Sequence, residues 1–141
     1  MPILSEKKWE KHSNPWSGWS RMISYPLLFV AIWYHNWFAL LLIAIWFAIN
    51  PFIFPKPKSI DNWMSKGVLG EKIWTEKAHM DFPQLLNLFN GVFFIVAIYA
   101  SYQNMLWHTF YSVILSSIFK MWFMDRMVFY YEADKENLDS M

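Results

Sequence analysis

The stretch MISYPLLFVAIWYHNWFALLLIAIWFAINPFIFP, residues 22–55, runs for thirty-four residues without a charged side chain. A second uncharged stretch, Phe82 to Phe119, is thirty-eight residues long. A helix rises about 1.5 Å per residue and a bilayer's hydrocarbon core is about 30 Å thick, so one crossing takes about 20 apolar residues. As one straight helix either stretch would be roughly 50 Å or more, too long for a single crossing. The simplest arrangement folds each stretch back on itself. The expected fold class is therefore all-α: a polytopic integral membrane protein of four transmembrane helices, paired as two hairpins, with an interfacial amphipathic segment between them. A three-span alternative, with residues 22–55 as one tilted helix, puts Lys7, Lys8, Lys11 and Arg21 on the wrong face of the membrane.

Composition agrees. Hydrophobic residues make up 56% of the chain and aromatic residues 21%, with thirteen Phe and ten Trp in 141 residues. One soluble core of this size could not bury so much apolar surface. The formal net charge is +1 and there is no cysteine. No basic surface calls for nucleic acid, and disulfides, thiolate metal sites and cysteine nucleophiles drop out together. The opening residues, Met1 to Lys8, lack the pattern of a signal peptide.

The chain divides into residues 1–14 (an amphipathic helix or tail), a first hairpin over 15–54, an interfacial segment over 55–82, a second hairpin over 83–131 and an acidic tail over 132–141. Asn14-Pro15 reads as a helix start, since Asn caps well and Pro suits the first helical position. Tyr34-His35-Asn36-Trp37 is the polar break of the first stretch and takes the first turn. Asn50-Pro51 is expected to end the second helix, because the residue before proline avoids the α region. Between Pro55 and Asp81, Trp63, Met64, Val68, Ile73 and Trp74 alternate with charged residues, as in helices lying in an interface. Gly67 and Gly70 are expected to divide that segment into two helices. Ser101 to Asn104 forms the second turn, and the tail from Glu132 is expected to lack order.

With both stretches doubled back, all twelve Lys and Arg lie on one side or just inside it. Positive residues favour the cytoplasm. The expected location is the cell membrane, multi-pass, with both termini cytoplasmic.

Candidate sites follow from the few polar groups near the bilayer. Arg21, Lys120, Asp125 and Arg126 gather where helices leave the membrane, a charge cluster suited to a lipid headgroup or to anchoring helix ends. Asp125 is placed to pair with Arg21 or Lys120, and Trp122 lies one turn from Arg126, a spacing that allows a cation–π contact. Thr109, Ser112, Ser116 and Lys120 share one helix face, as do Asn87, Asn90 and Gly91. Small and polar residues so arranged cement transmembrane helices or, less often, line a polar pathway. No Asp or Glu falls within the two uncharged stretches, which argues against a proton-coupled exporter. The metal candidates are His35, His108 and Met105 on the outer face, and His12, Glu71 and His79 on the inner face. No cofactor is implied.

Several blocks of the chain resemble a family of small bacterial and archaeal integral membrane proteins that carries only a domain-of-unknown-function label. The resemblance rests on His12-Ser13-Asn14-Pro15-Trp16-Ser17-Gly18-Trp19-Ser20-Arg21, Asn50-Pro51 through Phe54-Pro55, Asp61 through Glu71, and Lys120 through Val128, in matching order. This chain has His35-Asn36 near the first turn, where the family pattern usually carries a basic residue. The resemblance implies a membrane protein whose motif blocks lie mainly on the cytoplasmic side, and it implies no activity. The leading expectation is a non-catalytic accessory or scaffold subunit of a larger membrane complex, for example a redox or monooxygenase assembly, packed among membrane lipids and other subunits. The alternative is a small membrane enzyme or a metal- or lipid-binding protein with its site at the cytoplasmic interface. A homo-oligomeric channel stands third.

Overall fold

The structure, a computed structural model, describes residues 6–77 and 81–139. Among them the chain forms six helices and no strand: α1 (Glu6–His12), α2 (Pro15–Trp33), α3 (Trp37–Ile53), α4 (Trp63–Lys77), α5 (Phe82–Tyr102) and α6 (Leu106–Asp139). α2 with α3, and α5 with α6, are the two hairpins.

Their turns are built alike. His35 (φ 52°) and Asn104 (φ 56°) adopt the left-handed conformation, which Asn and His tolerate better than most residues. The following amides of Asn36 and Met105 then reach back to the carbonyls of Ala31 (3.0 Å) and Ala100 (2.9 Å), the Schellman closure of a helix end. Asn104 Nδ2 donates to the Trp33 carbonyl at 2.8 Å, tying one turn to the other. Both turns therefore occupy one end of the bundle.

The opposite end, the base, is assembled from α1, α4 and the second half of α6. Trp9, Met64, Val68, Leu86, Phe123, Met124 and Met127 form a buried cluster there. A second cluster of Phe29, Ile32 and Ala97, flanked by Tyr25 and Phe94, lies nearer the turns.

Three expectations need correction. α3 does not stop at Asn50-Pro51 but runs through both to Ile53. Asn50 is fully buried, accepts from Ser17 Oγ (2.7 Å) and donates to Ser20 Oγ (2.9 Å). Those bonds to α2 hold the pre-proline residue in the helix. α4 is one helix, undivided at Gly67 and Gly70. These glycines instead let it press on α6: a Cβ at Gly70 would collide with the Met127 carbonyl, and one at Gly67 would come within 2.8 Å of Met124 Cε. The acidic end is helical to Asp139, with Glu132 joined to Lys66 of α4 at 3.2 Å.

Of these helices, α5 is long and apolar enough to cross a membrane. α3 is apolar but shorter, at seventeen residues. α3 packs chiefly on α2 and α1, and Asn50 is its one buried residue.

Candidate ligand-binding site

Between the two clusters lies a cavity of about 410 Å³ to which all six helices contribute. Its polar wall carries His12, Arg21, Glu71 and Lys120, and its apolar wall includes Met22, Tyr25, Phe47 and Phe94. Local sequence explains the placements. Asn14 Oδ1 caps α2 by accepting from the Trp16 amide (2.9 Å), and Asn14 Nδ2 reaches the Pro55 carbonyl (2.9 Å). That clamp fixes the α1–α2 junction, so His12 at the end of α1 and Arg21 in the second turn of α2 face one space. Arg21 Nε donates to the Ser17 carbonyl at 3.3 Å, bending the side chain back along its own helix. Close packing at Gly18 and Gly67 brings α4 against α2 and α6, and Glu71 with it. Pro26 and Pro51 lie inside helices. Each deprives the carbonyl four residues earlier of its usual donor, and those residues, Met22 and Phe47, both line the cavity.

The electrostatics are uneven. His12 is 9% exposed. Its pKa falls to about 3 because burial disfavours the charged form, with the charges of Arg21 and then Lys120 adding to the effect. The ring is therefore neutral at ordinary pH, and its Nδ1 has no hydrogen-bond partner. Glu71 offsets part of the Arg21 charge. Among the described residues Lys120 makes no ion pair; its ammonium lies 4.9 Å from the Phe123 ring centroid. The cavity thus holds two cations, one carboxylate and a neutral imidazole, against aromatic and thioether walls. Such a lining suits an amphiphile better than a metal.

Four residues singled out from sequence, His12, Arg21, Glu71 and Lys120, meet here. Asp125 and Arg126 lie outside the lining. Asp125 pairs with neither Arg21 nor Lys120; it accepts from Trp63 Nε1 at 3.2 Å and lies 3.9 Å from Arg126. Arg126 stacks on Phe129 (5.4 Å), not on Trp122; Trp122 packs edge-on to Phe82. His79 lies outside the described residues. His35 packs against Tyr102 and Trp37 at the turn end, while His108 is exposed at the start of α6 and Met105 is partly exposed in the second turn. No three His, Asp or Glu side chains converge on a metal position among the described residues.

The hydroxyl stripe of α6 divides. Thr109 bonds its own helix, whereas Ser116 donates to Asn90 Oδ1 at 2.8 Å. Its single proton is thereby used, so Tyr25 donates to Ser116 Oγ across the same 2.8 Å. This Tyr25–Ser116–Asn90 chain joins α2, α6 and α5 beside the cavity. Gly91, expected to face a neighbour, has open space where a Cβ would lie. Tyr25, Phe47 and Phe94 gave no signal in sequence, being aromatics within apolar runs.

The profile of the family of unknown function DUF6653 matches residues 3–138, and the chain belongs to that family. No curated protein and no solved structure matches it.

Proposed function

We propose that this chain is a four-span membrane protein, both termini cytoplasmic, that binds a membrane-derived amphiphile in the cavity at its base. The observation that carries this reading is the cavity's composition: Arg21, Lys120, Glu71 and His12 at one side, aromatic walls at the other, within about 410 Å³. That volume is in the usual range for small-molecule sites, about 300–1,000 Å³.

Membrane residence draws on surface character. Only 22% of the most apolar window of α5 is buried, and Leu41, Leu42, Ile45 and Ile49 of α3 are exposed. Apolar faces this extensive are unstable in water and comfortable in lipid. α6, at 34 residues, is about 51 Å long, so its end with α1 and α4 would stand in the interface and beyond it.

Native mass spectrometry of the detergent-extracted protein tests the binding role. The expected outcome is a retained amphiphile that is lost in Ser117→Phe, which fills the cavity, with helicity and monodispersity unchanged. A wild-type protein carrying no amphiphile would overturn it.

A second reading, an accessory subunit of a larger membrane complex, is favoured by α3, which buries little besides Asn50 and leaves an apolar face for a partner helix. Extraction in mild detergent would then recover stoichiometric larger partners.

A further inference from the structure

We infer that the ligand is a single-chain amphiphile with an anionic head: the head sits against Arg21 and Lys120, and the chain runs along the cleft between α3 and α5. The inference rests on the proposed binding role and names the class of molecule bound.

The head follows from charge. A cation near the hydrocarbon region is costly unless paired or solvated. The lining holds one carboxylate, Glu71, against two cations, Arg21 and Lys120, neither of which makes an ion pair among the described residues, so it carries an excess of positive charge. A carboxylate or phosphate between Arg21 and Lys120 supplies the missing charge.

The chain follows from continuity. A second cavity of about 380 Å³ opens nearer the turns, lined almost wholly by apolar surface that includes Ile32, Leu40, Ile98, Tyr99 and Tyr102. Its walls prolong the faces that line the first cavity. On α3, Phe47 of the first and Leu40 of the second are seven residues apart, two turns along one face. On α5, Asn90, Phe94 and Ile98 follow at intervals of four, with the first two in one cavity and the third in the other. From Asn90 to Tyr102 the helix rises about 18 Å, the reach of a long acyl chain. α3 has no extensive contact with α5 or α6, so the seam between α3 and α5 that joins the two linings is weakly packed.

Binding of hexadecanoyl lysophosphatidate to the full-length, delipidated protein tests this, against hexadecanoylglycerol, octanoyl lysophosphatidate and inorganic phosphate. The long anionic probe is expected to bind at least about tenfold more tightly than each of the others. Arg21→Gln and Lys120→Gln should each remove that margin over hexadecanoylglycerol; either variant suffices if the other fails to fold. Ile98→Trp should weaken only the long-chain probes. Equal binding of hexadecanoylglycerol and hexadecanoyl lysophosphatidate would overturn the anionic head, and octanoyl lysophosphatidate or phosphate binding as tightly as the long probe would overturn the chain seat. Both results leave the cavity a binding site. If the wild-type protein neither retains an amphiphile on extraction nor takes up either long-chain probe, the proposed function fails with the inference.

Discussion

Single polar residues lock the helices of this chain together. Asn50 is the clearest case, a fully buried amide that satisfies Ser17 and Ser20 at once. Truncating it strands the Ser17 hydroxyl in an apolar setting, where an unsatisfied group costs about 1–3 kcal/mol. Asn50→Ala should lower the thermal midpoint in detergent accordingly. Adding Ser17→Ala to it should cost less than the sum of the two single changes, because the residues share one interaction. His12 predicts a pH dependence of definite sign. Its folded pKa of about 3 lies below the unfolded 6.5, so between those values the unfolded chain binds more protons. Stability then rises with pH across that window, and as pH falls below about 6.5 it drops by about 1.4 kcal/mol per unit. The stability difference between wild type and His12→Gln should therefore narrow or invert between about pH 6.5 and about pH 4; a pH-independent difference would show that the buried ring is not neutral.

At the scale of elements, the glycines separate contact from mere helix weakness. Gly70 sits where α4 meets the backbone of α6, and an added methyl group would overlap the Met127 carbonyl, which has no rotamer by which to move aside. Gly70→Ala should destabilise by about 1–3 kcal/mol or more, the usual cost of overpacking. Gly91 lies inside α5, with nothing within 4 Å of the place a methyl group would take. Gly91→Ala should stabilise by about 0.5–1 kcal/mol through helix propensity alone. Opposite signs in paired thermal melts would check both assignments. Asp81 shows how an element start is secured: it caps α5 by accepting from the Gln84 amide (3.1 Å). It also accepts from Trp74 Nε1 of α4 and the Tyr130 hydroxyl of α6, both at 3.1 Å. Three helices thus converge on one carboxylate.

At the scale of the molecule, the arrangement separates a turn end free of Lys, Arg, Asp and Glu from a base that gathers α1, α4 and the charged half of α6. Four crossings require the N-terminus and the α3–α4 linker to share a compartment. Reporter tags at Met1 and beside Ser59 should therefore both read cytoplasmic; opposite sides would require the three-span arrangement. Asn104 reaching Trp33 bears on the same point, because it joins the two turns to each other and not to the base.

The helical class, the positions of both turns and the start of α2 were legible in the chain, because they follow from local rules: charge-free length, the polar breaks Tyr34 to Trp37 and Ser101 to Asn104, and the Asn14-Pro15 cap. The polar half of the cavity was legible as residue types, since charged groups stand out against apolar runs, and His12, Arg21, Glu71 and Lys120 were already candidates. Which of them meet, that Asp125 and Arg126 turn elsewhere, that α3 continues through Asn50-Pro51, and that α4 stays whole across Gly67 and Gly70 were all set by long-range packing. Each depends on a partner distant in sequence: Ser17 for Asn50, Met127 for Gly70, Trp63 for Asp125. Local propensity sets the cost of each conformation, but a long-range contact decides whether that cost is met, and such contacts have no signature in a window of sequence.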